Sequence, residues 1–414
     1  MALIKTSILS FIATAIKLSS AFIINKAISI YIGPSGLALI GQFQNFSQLS
    51  MVFAQGGIAT GIIKCTAEYG KDSKRLPILF STATRISCYA SLVVGLAVII
   101  FAGHASQLLL KSEEYGYVFV IFGFTIILFV LNNLLLSVLN GLKEVKLWAM
   151  INITQSVYGL IFTSLLVVFL GLDGALIALV TNQSIIFFII IWLLRKHDVF
   201  KLPNFTAKFD KMEARKLAGF AAMALTTAAT GPASHLIVRN HIGESLGWES
   251  AGYWQAIWYI SSMYLMVVTS TLGIYYLPRL SEISDRFELR KELWQGYAII
   301  LPIVFVAALS IFLLKDFIIL VLFTEEFMVM RELFLWQLVG DFFKLASFLL
   351  AYIMLAKALV KTFIVTEVTF SLSYILLSIW FVDNYGLVGV TYAFAVNYMV
   401  YLVVMIFVTR KHWR

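Results

Sequence analysis

The sequence predicts an all-α polytopic membrane protein with twelve transmembrane helices in two six-helix lobes and with both termini in the cytoplasm. Three observations support this prediction: the composition, the number of long apolar stretches and the distribution of Lys and Arg. Of the 414 residues, 61% are hydrophobic and 13% are charged, whereas soluble domains have about 25% charged residues. The mean hydropathy of +0.91 indicates a chain that lies mostly in lipid.

Twelve stretches are long and apolar enough to be membrane spans, since a spanning helix needs about 20 mostly apolar residues. Turn-forming residues separate several of them, at 33–36, 171–174 and 383–386, where Gly, Pro, Asp and Asn favour tight turns. An odd number of spans would place the two termini on opposite sides of the membrane. The predicted spans are 6–32, 37–63, 78–103, 117–141, 146–170, 174–194, 217–241, 251–277, 293–314, 331–356, 361–382 and 386–409.

The Lys and Arg residues are concentrated in the loops that the predicted topology places in the cytoplasm. The formal net charge is +9, from 31 Lys and Arg and 22 Asp and Glu. Only Lys111, Arg239, Lys315 and Arg331 fall in segments predicted to lie outside. Because short cytoplasmic loops carry an excess of Lys and Arg, this bias predicts cytoplasmic termini. The basic balance therefore indicates a lipid bilayer, and not nucleic acid, as the surrounding partner.

The longest polar stretch, residues 195–216, divides the chain into two halves of six spans each. We therefore expect an N-terminal six-helix lobe at 1–194, a cytoplasmic linker at 195–216 and a C-terminal six-helix lobe at 217–414. Transporters that are built from two such halves have their binding site between the halves.

Charged residues inside the predicted spans are candidate functional residues, because a charge at the bilayer centre costs about 2.5–3.5 kcal/mol on insertion scales. With a rise of about 1.5 Å per residue, Lys17, Asp341 and Lys344 lie near the membrane midplane. Asp341 and Lys344 are three residues apart and share a helix face. They either pair with each other and fix helix packing, or line a central cavity.

The other embedded charges lie nearer to the predicted membrane surfaces. Lys26 and Arg239 are close to the outer interface, and Arg85 and Glu367 are close to the cytoplasmic one, so both anchoring at the interface and ligand contact stay open. Lys26 is about half a turn out of phase with Lys17 on one helix. The embedded set is mainly basic, which predicts an anionic substrate such as a pyrophosphate, because Coulomb attraction is stronger where water is scarce.

Helix-breaking and aromatic residues add two further predictions. Gly231, Pro232 and Pro302 fall inside spans, where proline kinks a helix, and they are candidate hinges for a rocking motion or ordinary kinks.

Aromatic residues cluster around span eight. Such residues commonly form interfacial belts, and some are candidates to stack on sugar rings. The cluster contains Trp248, Trp254, Trp258, Tyr259, Tyr275 and Tyr276.

Several motifs along nearly the whole chain are similar to those of a known family. They are Lys5, Lys17, Lys26 and Gly33-Pro34-x-Gly36-Leu37; Met223-Ala224-Leu225, Pro232, Arg239, Gly252-Tyr253-Trp254-Gln255 and Tyr276-Leu277-Pro278; and the stretch 334–341, Lys344, Ala356-Lys357-Ala358 and Glu367-Val368. The stretch Trp-Gln-Leu-Val-Gly-Asp at 336–341 is the most specific of these. On these residues the chain resembles the Wzx-type flippases of the MOP exporter superfamily, which include O-antigen translocases and enterobacterial common antigen (lipid III) flippases.

The resemblance implies a MATE-like fold with alternating access. It implies that the chain moves undecaprenyl-pyrophosphate-linked O-antigen repeat units from the cytoplasmic to the periplasmic leaflet of the bacterial inner membrane, with the common-antigen lipid III as the alternative substrate. We expect no enzymatic activity and no cofactor, and coupling to either a proton or a sodium gradient. The polymerase and the chain-length regulator of the same lipopolysaccharide pathway are expected partners.

The site residues implied by the resemblance follow from these positions. The residues expected to bind substrate are Lys17, Lys26, Arg85, Arg239 and Lys344. The residues expected to couple transport to an ion are Asp341 and Glu367. Arg85 departs from the family pattern, so its role stays open between binding and substrate choice.

Two other functions are alternatives, and neither fits the sequence well. A small-molecule cation antiporter of the same superfamily predicts an acidic cavity, whereas the embedded residues are mainly basic. A membrane glycan polymerase predicts large outer loops bearing catalytic Arg or His, whereas the outer loops here are short. No cluster with metal-ligand spacing is present among the five histidines and two cysteines, so no metal site is expected.

Overall fold

The computed structural model describes residues 2–70, 73–195, 197–272, 276, 279–280, 283, 285–357 and 359–413. Within these ranges the secondary structure is helical and contains no β-strand. Eight of the described helices are long and apolar enough to cross a membrane, or nine if the bent pair Gly33–Ala54 and Ala59–Tyr69 is one span. The prediction of an all-α, multi-pass membrane protein is therefore confirmed.

The chain divides into two compact units, each described here by itself. Unit 1 contains the residues up to Ile32 and Leu39–Pro232, and unit 2 contains Gly33–Ala38 and Ala233–Arg414. The helices of unit 1 are α1 (Ala2–Tyr31), α2 (Gly33–Ala54) from Leu39 onward, α3 (Ala59–Tyr69), α4 (Leu76–Ile100), α5 (Ala102–Leu110), α6 (Gly116–Gly141), α7 (Val145–Leu194) and the first part of α8 (Lys211–Leu246). The helices of unit 2 are the rest of α8, α9 (Trp248–Thr271), α10 (Arg286–Leu313), α11 (Lys315–Leu322), α12 (Phe334–Ala356), α13 (Val360–Tyr385) and α14 (Leu387–Trp413).

Each of the twelve predicted spans overlaps a described helix, and glycines form the turns between three pairs of spans. Gly171 interrupts the long α7 with φ 56° and ψ −128°. Gly33 and Gly386 also have positive φ values, 77° and 65°, a conformation that glycine adopts without a steric penalty. The three predicted turns are confirmed. The number of twelve spans stays a prediction, because α8 and α9 do not qualify as spans by length and composition.

The division into units differs from the predicted lobes at two places. It falls inside α8, between Pro232 and Ala233, and the first turn of α2 belongs to unit 2. The polar stretch proposed as a linker is instead part of unit 1. Ser81 Oγ donates a hydrogen bond to the Ala207 carbonyl at 2.5 Å. The division into two six-helix lobes joined by a linker at 195–216 stays a prediction.

A second set of polar contacts holds the end of this stretch on α3. Tyr69 Oη donates a hydrogen bond to Glu213 Oε1 at 2.8 Å, and Lys216 Nζ donates one to Tyr69 Oη at 2.8 Å. The hydrogen bond to Tyr69, together with the charge of Glu213, raises the pKa of the Lys216 ammonium above its ordinary value. The start of α8 is thus tied to unit 1 by hydrogen bonds.

The first turn of α2 packs directly against α9 inside unit 2. A Cβ atom added to Gly252 would lie 2.0 Å from the carbonyl oxygen of Pro34, so the two backbones are in contact. Leu37 and Ala251 beside them are fully buried. Two motifs on which the family resemblance rests, 33–37 and 252–255, therefore meet in the structure.

We expect Gly252→Ala to destabilise the protein, because the new methyl group would clash with a backbone atom that cannot rotate away. Overpacking of this kind costs about 1–3 kcal/mol. Thermal unfolding of the purified protein in detergent measures the effect. Gly103→Ala is the matched control, since a Cβ there meets nothing within 4 Å and Ala favours a helix. Equal unfolding temperatures for the two variants would contradict the contact.

Candidate functional site

Asp341 lies in α12 and is held by donors from two helices. Its side chain is fully buried. Ser261 Oγ of α9 donates a hydrogen bond to Oδ2, and Tyr264 Oη donates another to the same oxygen at 2.7 Å. Gln337 Nε2, one turn earlier in α12, is 3.4 Å from Oδ1. Because hydrogen bonds to charged groups contribute about 1.5–3 kcal/mol each, this network can keep a carboxylate inside an apolar bundle.

Lys344, one turn further along α12, lies in a ring of aromatic side chains that we call the Lys344 cage. Its Nζ atom is 4.8 Å from the ring centroid of Trp258. The cage consists of Trp258 of α9, Phe348 of α12, and Phe394 and Tyr398 of α14. All four centroids are 4.8–5.8 Å from Nζ, within the range at which a ring face attracts a cation.

Asp341 and Lys344 do not form an ion pair with each other. No salt bridge within 4.0 Å joins them among the described residues, and each has its own partners. This conformation therefore does not show the alternative in which Asp341 and Lys344 pair with each other and fix helix packing. Each group therefore has its own surroundings within unit 2.

Glu367 of α13 is the second acidic residue of this region. Its side chain is partly buried, and Tyr401 Oη donates a hydrogen bond to Oε1 at 3.0 Å. Both Glu367 and Asp341 are near enough to act electrostatically on Lys344. Two carboxylates and one ammonium thus belong to one electrostatic group in unit 2.

Arg239 of α8 is fully buried in unit 2. Its guanidinium donates a hydrogen bond to Gln255 Oε1 and lies 5.3 Å from the ring centroid of Trp254. Arg239 is predicted to bind substrate, but its guanidinium is not accessible in this conformation. Here the side chain joins α8 to α9, which favours the anchoring alternative for this residue.

His235, one turn before Arg239, is a residue that sequence reasoning missed. Its ring stacks on Trp254 with centroids 5.2 Å apart and planes 11° apart, and it lies 4.1 Å from the ring of Trp258. The side chain is 8% exposed, and its Nδ1 atom has no hydrogen-bond partner among the described residues. His235 thereby connects the surroundings of Arg239 with the Lys344 cage.

The three predicted basic residues of unit 1 have different surroundings. Lys17 is exposed and Lys26 is partly buried, both on the continuous helix α1. Arg85 is exposed on α4, and its Nη2 atom donates a hydrogen bond to the Ala207 carbonyl at 3.1 Å. Arg85 therefore contacts the polar stretch 195–216 within unit 1, and its role in binding or in substrate choice stays a prediction.

Unit 1 also contains a buried amide cluster that the sequence did not reveal. Asn132 of α6 is 1% exposed and donates a hydrogen bond from Nδ2 to Gln183 Oε1 of α7 at 2.5 Å. Gln155, in the other half of α7, is 3.5 Å from Asn132 Oδ1. Side-chain hydrogen bonds of this kind hold membrane helices together, so we assign the cluster to packing.

The candidate hinge residues lie inside helices. Gly231 and Pro232 are within α8, at the place where the two units divide. Pro302 is an exposed residue within α10. No structural observation distinguishes a hinge from an ordinary kink at these positions, so the hinge role stays a prediction.

The face of α12 next to Asp341 lines an apolar groove of about 450 Å³. Its walls are side chains of α10, such as Phe305 and Phe312, and of α12, such as Leu338 and Phe342. The lining contains no charged residue.

The partners of Asp341 and Lys344 follow a pattern in α9 that could have been noticed. Trp258, Ser261 and Tyr264 are spaced by three residues, so they share one helix face. A polar and aromatic stripe in a predicted span therefore indicates the side that faces an embedded charge. The contribution of α14, Phe394 and Tyr398, carries no such signal, because these residues are ordinary for an apolar helix. Tyr275, another aromatic candidate, lies outside the described residues.

No group of three or more His, Cys, Asp or Glu that could hold a metal ion occurs in the ranges that the structure describes. The charged site is therefore built from hydrogen bonds, aromatic rings and single charges.

The chain is similar to curated and solved proteins over nearly its whole length. It is 27% identical over 401 residues to the lipid III flippases of Escherichia coli (strain K12) and Shigella flexneri, covering 97% of this chain and 96% of each relative. Among solved structures it matches the lipid II flippase MurJ in an inward closed conformation, with 18% identity, a TM-score of 0.74 and coverage of 98% of this chain and 87% of MurJ. It also matches an inward-facing multidrug resistance MATE family transporter of the MOP superfamily, with 14% identity, a TM-score of 0.72 and coverage of 96% and 97%.

The two structural matches show that the chain has the fold of the MATE and MurJ transporters, as the sequence predicted. A family model described as polysaccharide biosynthesis protein matches residues 30–332, which is most of the chain; the match includes α9 and ends before Asp341 and Lys344. The chain therefore belongs to the polysaccharide biosynthesis protein family.

Proposed function

We propose that this chain is a flippase that moves undecaprenyl-pyrophosphate-linked oligosaccharides from the cytoplasmic to the periplasmic leaflet of the bacterial inner membrane. The observation that carries the proposal is the charged and aromatic group around Asp341 and Lys344, inside membrane helices of a polysaccharide biosynthesis protein. Ionisable residues at such depth are expensive and usually serve a pathway for a polar substrate. The names of the relatives, lipid III flippase and lipid II flippase, support this substrate class.

The basic residues would bind the anionic part of the lipid. Lys17 is the best placed for direct contact, because it is exposed at the predicted membrane midplane. Lys26 and Arg85 are the other candidates for the anionic part, Lys344 is a candidate to bind another part of the substrate, and Arg239 would act by holding α8 on α9. A bound ligand can drive alternating access only through different affinities for the two states, and Pro232 and Pro302 are the places where we expect the helices to bend.

Asp341 and Glu367 are proposed to couple transport to a proton or a sodium gradient. Both carboxylates lie near Lys344, so neutralising either of them changes the charge that this ammonium meets. Tyr264 and Tyr401 donate hydrogen bonds to the two acids and would respond to the same event. No enzymatic step or cofactor is needed for this mechanism, and the pathway's polymerase and chain-length regulator would act on the exported lipid.

The O-antigen repeat unit and the common-antigen lipid III are the two candidate substrates. Departures from the common-antigen motifs favour the O-antigen unit. The lipid III alternative is favoured by the 27% identity to two lipid III flippases over 97% of this chain.

Complementation of two bacterial strains distinguishes the candidates. One strain lacks its common-antigen flippase and the other lacks its O-antigen flippase, and each surface glycan is read on a gel. We expect rescue of the O-antigen strain. Rescue of the other strain alone would name lipid III as the substrate. Rescue of neither, with the protein present in the membrane, would contradict the flippase proposal and favour a small-molecule antiporter.

We expect Lys17→Ala to reduce glycan export at least tenfold without reducing the amount of folded protein. The side chain is exposed, so its removal should not disturb packing, whereas the loss of a cation in a site of low dielectric weakens anion binding strongly. Export in the rescued strain and the membrane level of the protein are measured together. Lys17→Arg is the control that keeps the charge, and undiminished export by Lys17→Ala would exclude Lys17 from the site.

We expect Asp341→Asn to change how transport depends on pH or on sodium. The amide has nearly the same shape as the carboxylate but does not take up a proton, so a coupling step through Asp341 would lose its response. Transport into vesicles is measured over a series of pH values and sodium concentrations. Asp316→Asn serves as the control, at a residue outside the charged group whose half-exposed side chain lies 3.4 Å from Arg331. A profile identical to that of the unmodified protein would assign Asp341 to packing alone.

A further inference from the structure

We propose that the Lys344 cage binds a sugar ring of the transported lipid, with the pyranose stacked on Trp258 and Tyr398 and a hydroxyl group accepting a hydrogen bond from Lys344. This inference rests on the proposed function and names the part of the substrate that the cage recognises. It also assigns to Lys344 a role different from that of a pyrophosphate ligand.

The residues of the cage differ in how far they are exposed. Phe394 is 2% exposed. Trp258, Phe348, Tyr398 and Lys344 are all partly exposed. The ammonium has no hydrogen-bond acceptor among the described residues, although Lys carries three donors. The cage therefore combines partly exposed aromatic rings with a partly exposed lysine donor.

This combination suits a pyranose. The C–H groups on one face of a sugar ring are apolar and pack on an aromatic ring, while the hydroxyl groups around its edge need polar partners. Binding pockets for such molecules are mainly aromatic and apolar, with a few placed polar groups that fix the orientation. Lys344 with Trp258 and Tyr398 provides these elements within one unit.

The cage does not suit a pyrophosphate. The faces of aromatic rings carry negative charge density, so rings that attract an ammonium repel a phosphate oxygen. The carboxylates of Asp341 and Glu367, which also act on Lys344, add repulsion. Phosphates are usually bound by several donors at once, as from Arg forks or backbone amides. The guanidinium of Arg239 in unit 2 is fully buried.

The rings of the cage are held in place by other side chains. Trp258 packs edge-on against Phe394 with centroids 5.7 Å apart, and His235 lies 4.1 Å from it on α8. Tyr398 packs against Phe394 at 4.9 Å and against Tyr401 at 6.1 Å. A platform whose rotamers are already fixed loses little conformational entropy on binding, so it can discriminate between ligands.

The test compares two lipids that differ only in the sugar. The whole protein is placed in phospholipid nanodiscs, and its affinity is measured for undecaprenyl pyrophosphate and for undecaprenyl-pyrophosphate-linked N-acetylglucosamine. We expect the sugar to increase the affinity of the unmodified protein about tenfold, a typical scale for a well-packed aromatic contact. Trp258→Ala and Tyr398→Ala should each remove most of this gain and leave the affinity for undecaprenyl pyrophosphate within about twofold.

Two further variants and the unfolding temperature control the test. Trp258→Phe keeps a ring and should keep most of the gain, and Tyr89→Ala, at a tyrosine of unit 1 that is 71% exposed, should leave both affinities unchanged. Equal weakening for the two lipids, an unchanged pair of affinities in Trp258→Ala and Tyr398→Ala, or no effect of the sugar on the unmodified protein would each overturn the inference. Binding of neither lipid by the unmodified protein would overturn the proposed function itself.

Discussion

The need to give every buried charge a partner organises unit 2. Asp341 accepts hydrogen bonds from two residues of α9. The ammonium of Lys344 lies against aromatic rings of α9 and α14, and Arg239 joins α8 to α9. Because an unpaired charge inside an apolar bundle is costly, each of these contacts fixes the rotation of one helix relative to the next. The same side chains that make the region chemically unusual therefore also set its packing.

Unit 1 satisfies its buried polar groups in a different way. Neutral amides join α6 and α7 at Asn132 and Gln183, and the backbones of α4 and α6 come close at Gly95 and Gly123. The predicted cation Lys17 stays exposed. The cation Lys17 of unit 1 is thus outside the packing, whereas Asp341 and Arg239 of unit 2 are part of it, so folding should tolerate substitution of Lys17 more readily than substitution of Asp341 or Arg239.

Much of the fold could be predicted from the sequence, because helix positions follow from local composition. The long apolar stretches became helices, and turns formed at Gly33, Gly171 and Gly386. The embedded charges could be located for the same reason. The partners on α14 could not be predicted, since the contact between Lys344 and Tyr398 depends on the packing of distant helices. The burial of Arg239 was missed for a related reason: depth along a helix is readable from a sequence, but the direction in which a side chain points is not.

The contact between Gly252 and Pro34 limits how this region can change during evolution. The atom that lies against Gly252 is a backbone carbonyl oxygen, so no replacement of the side chain at residue 34 can make room for a larger group. A suppressor of a bulky residue at 252 would have to displace the whole first turn of α2, together with the buried Leu37 and Ala38. Genetic selections for restored export should therefore return reversion to glycine at this position far more often than second-site changes.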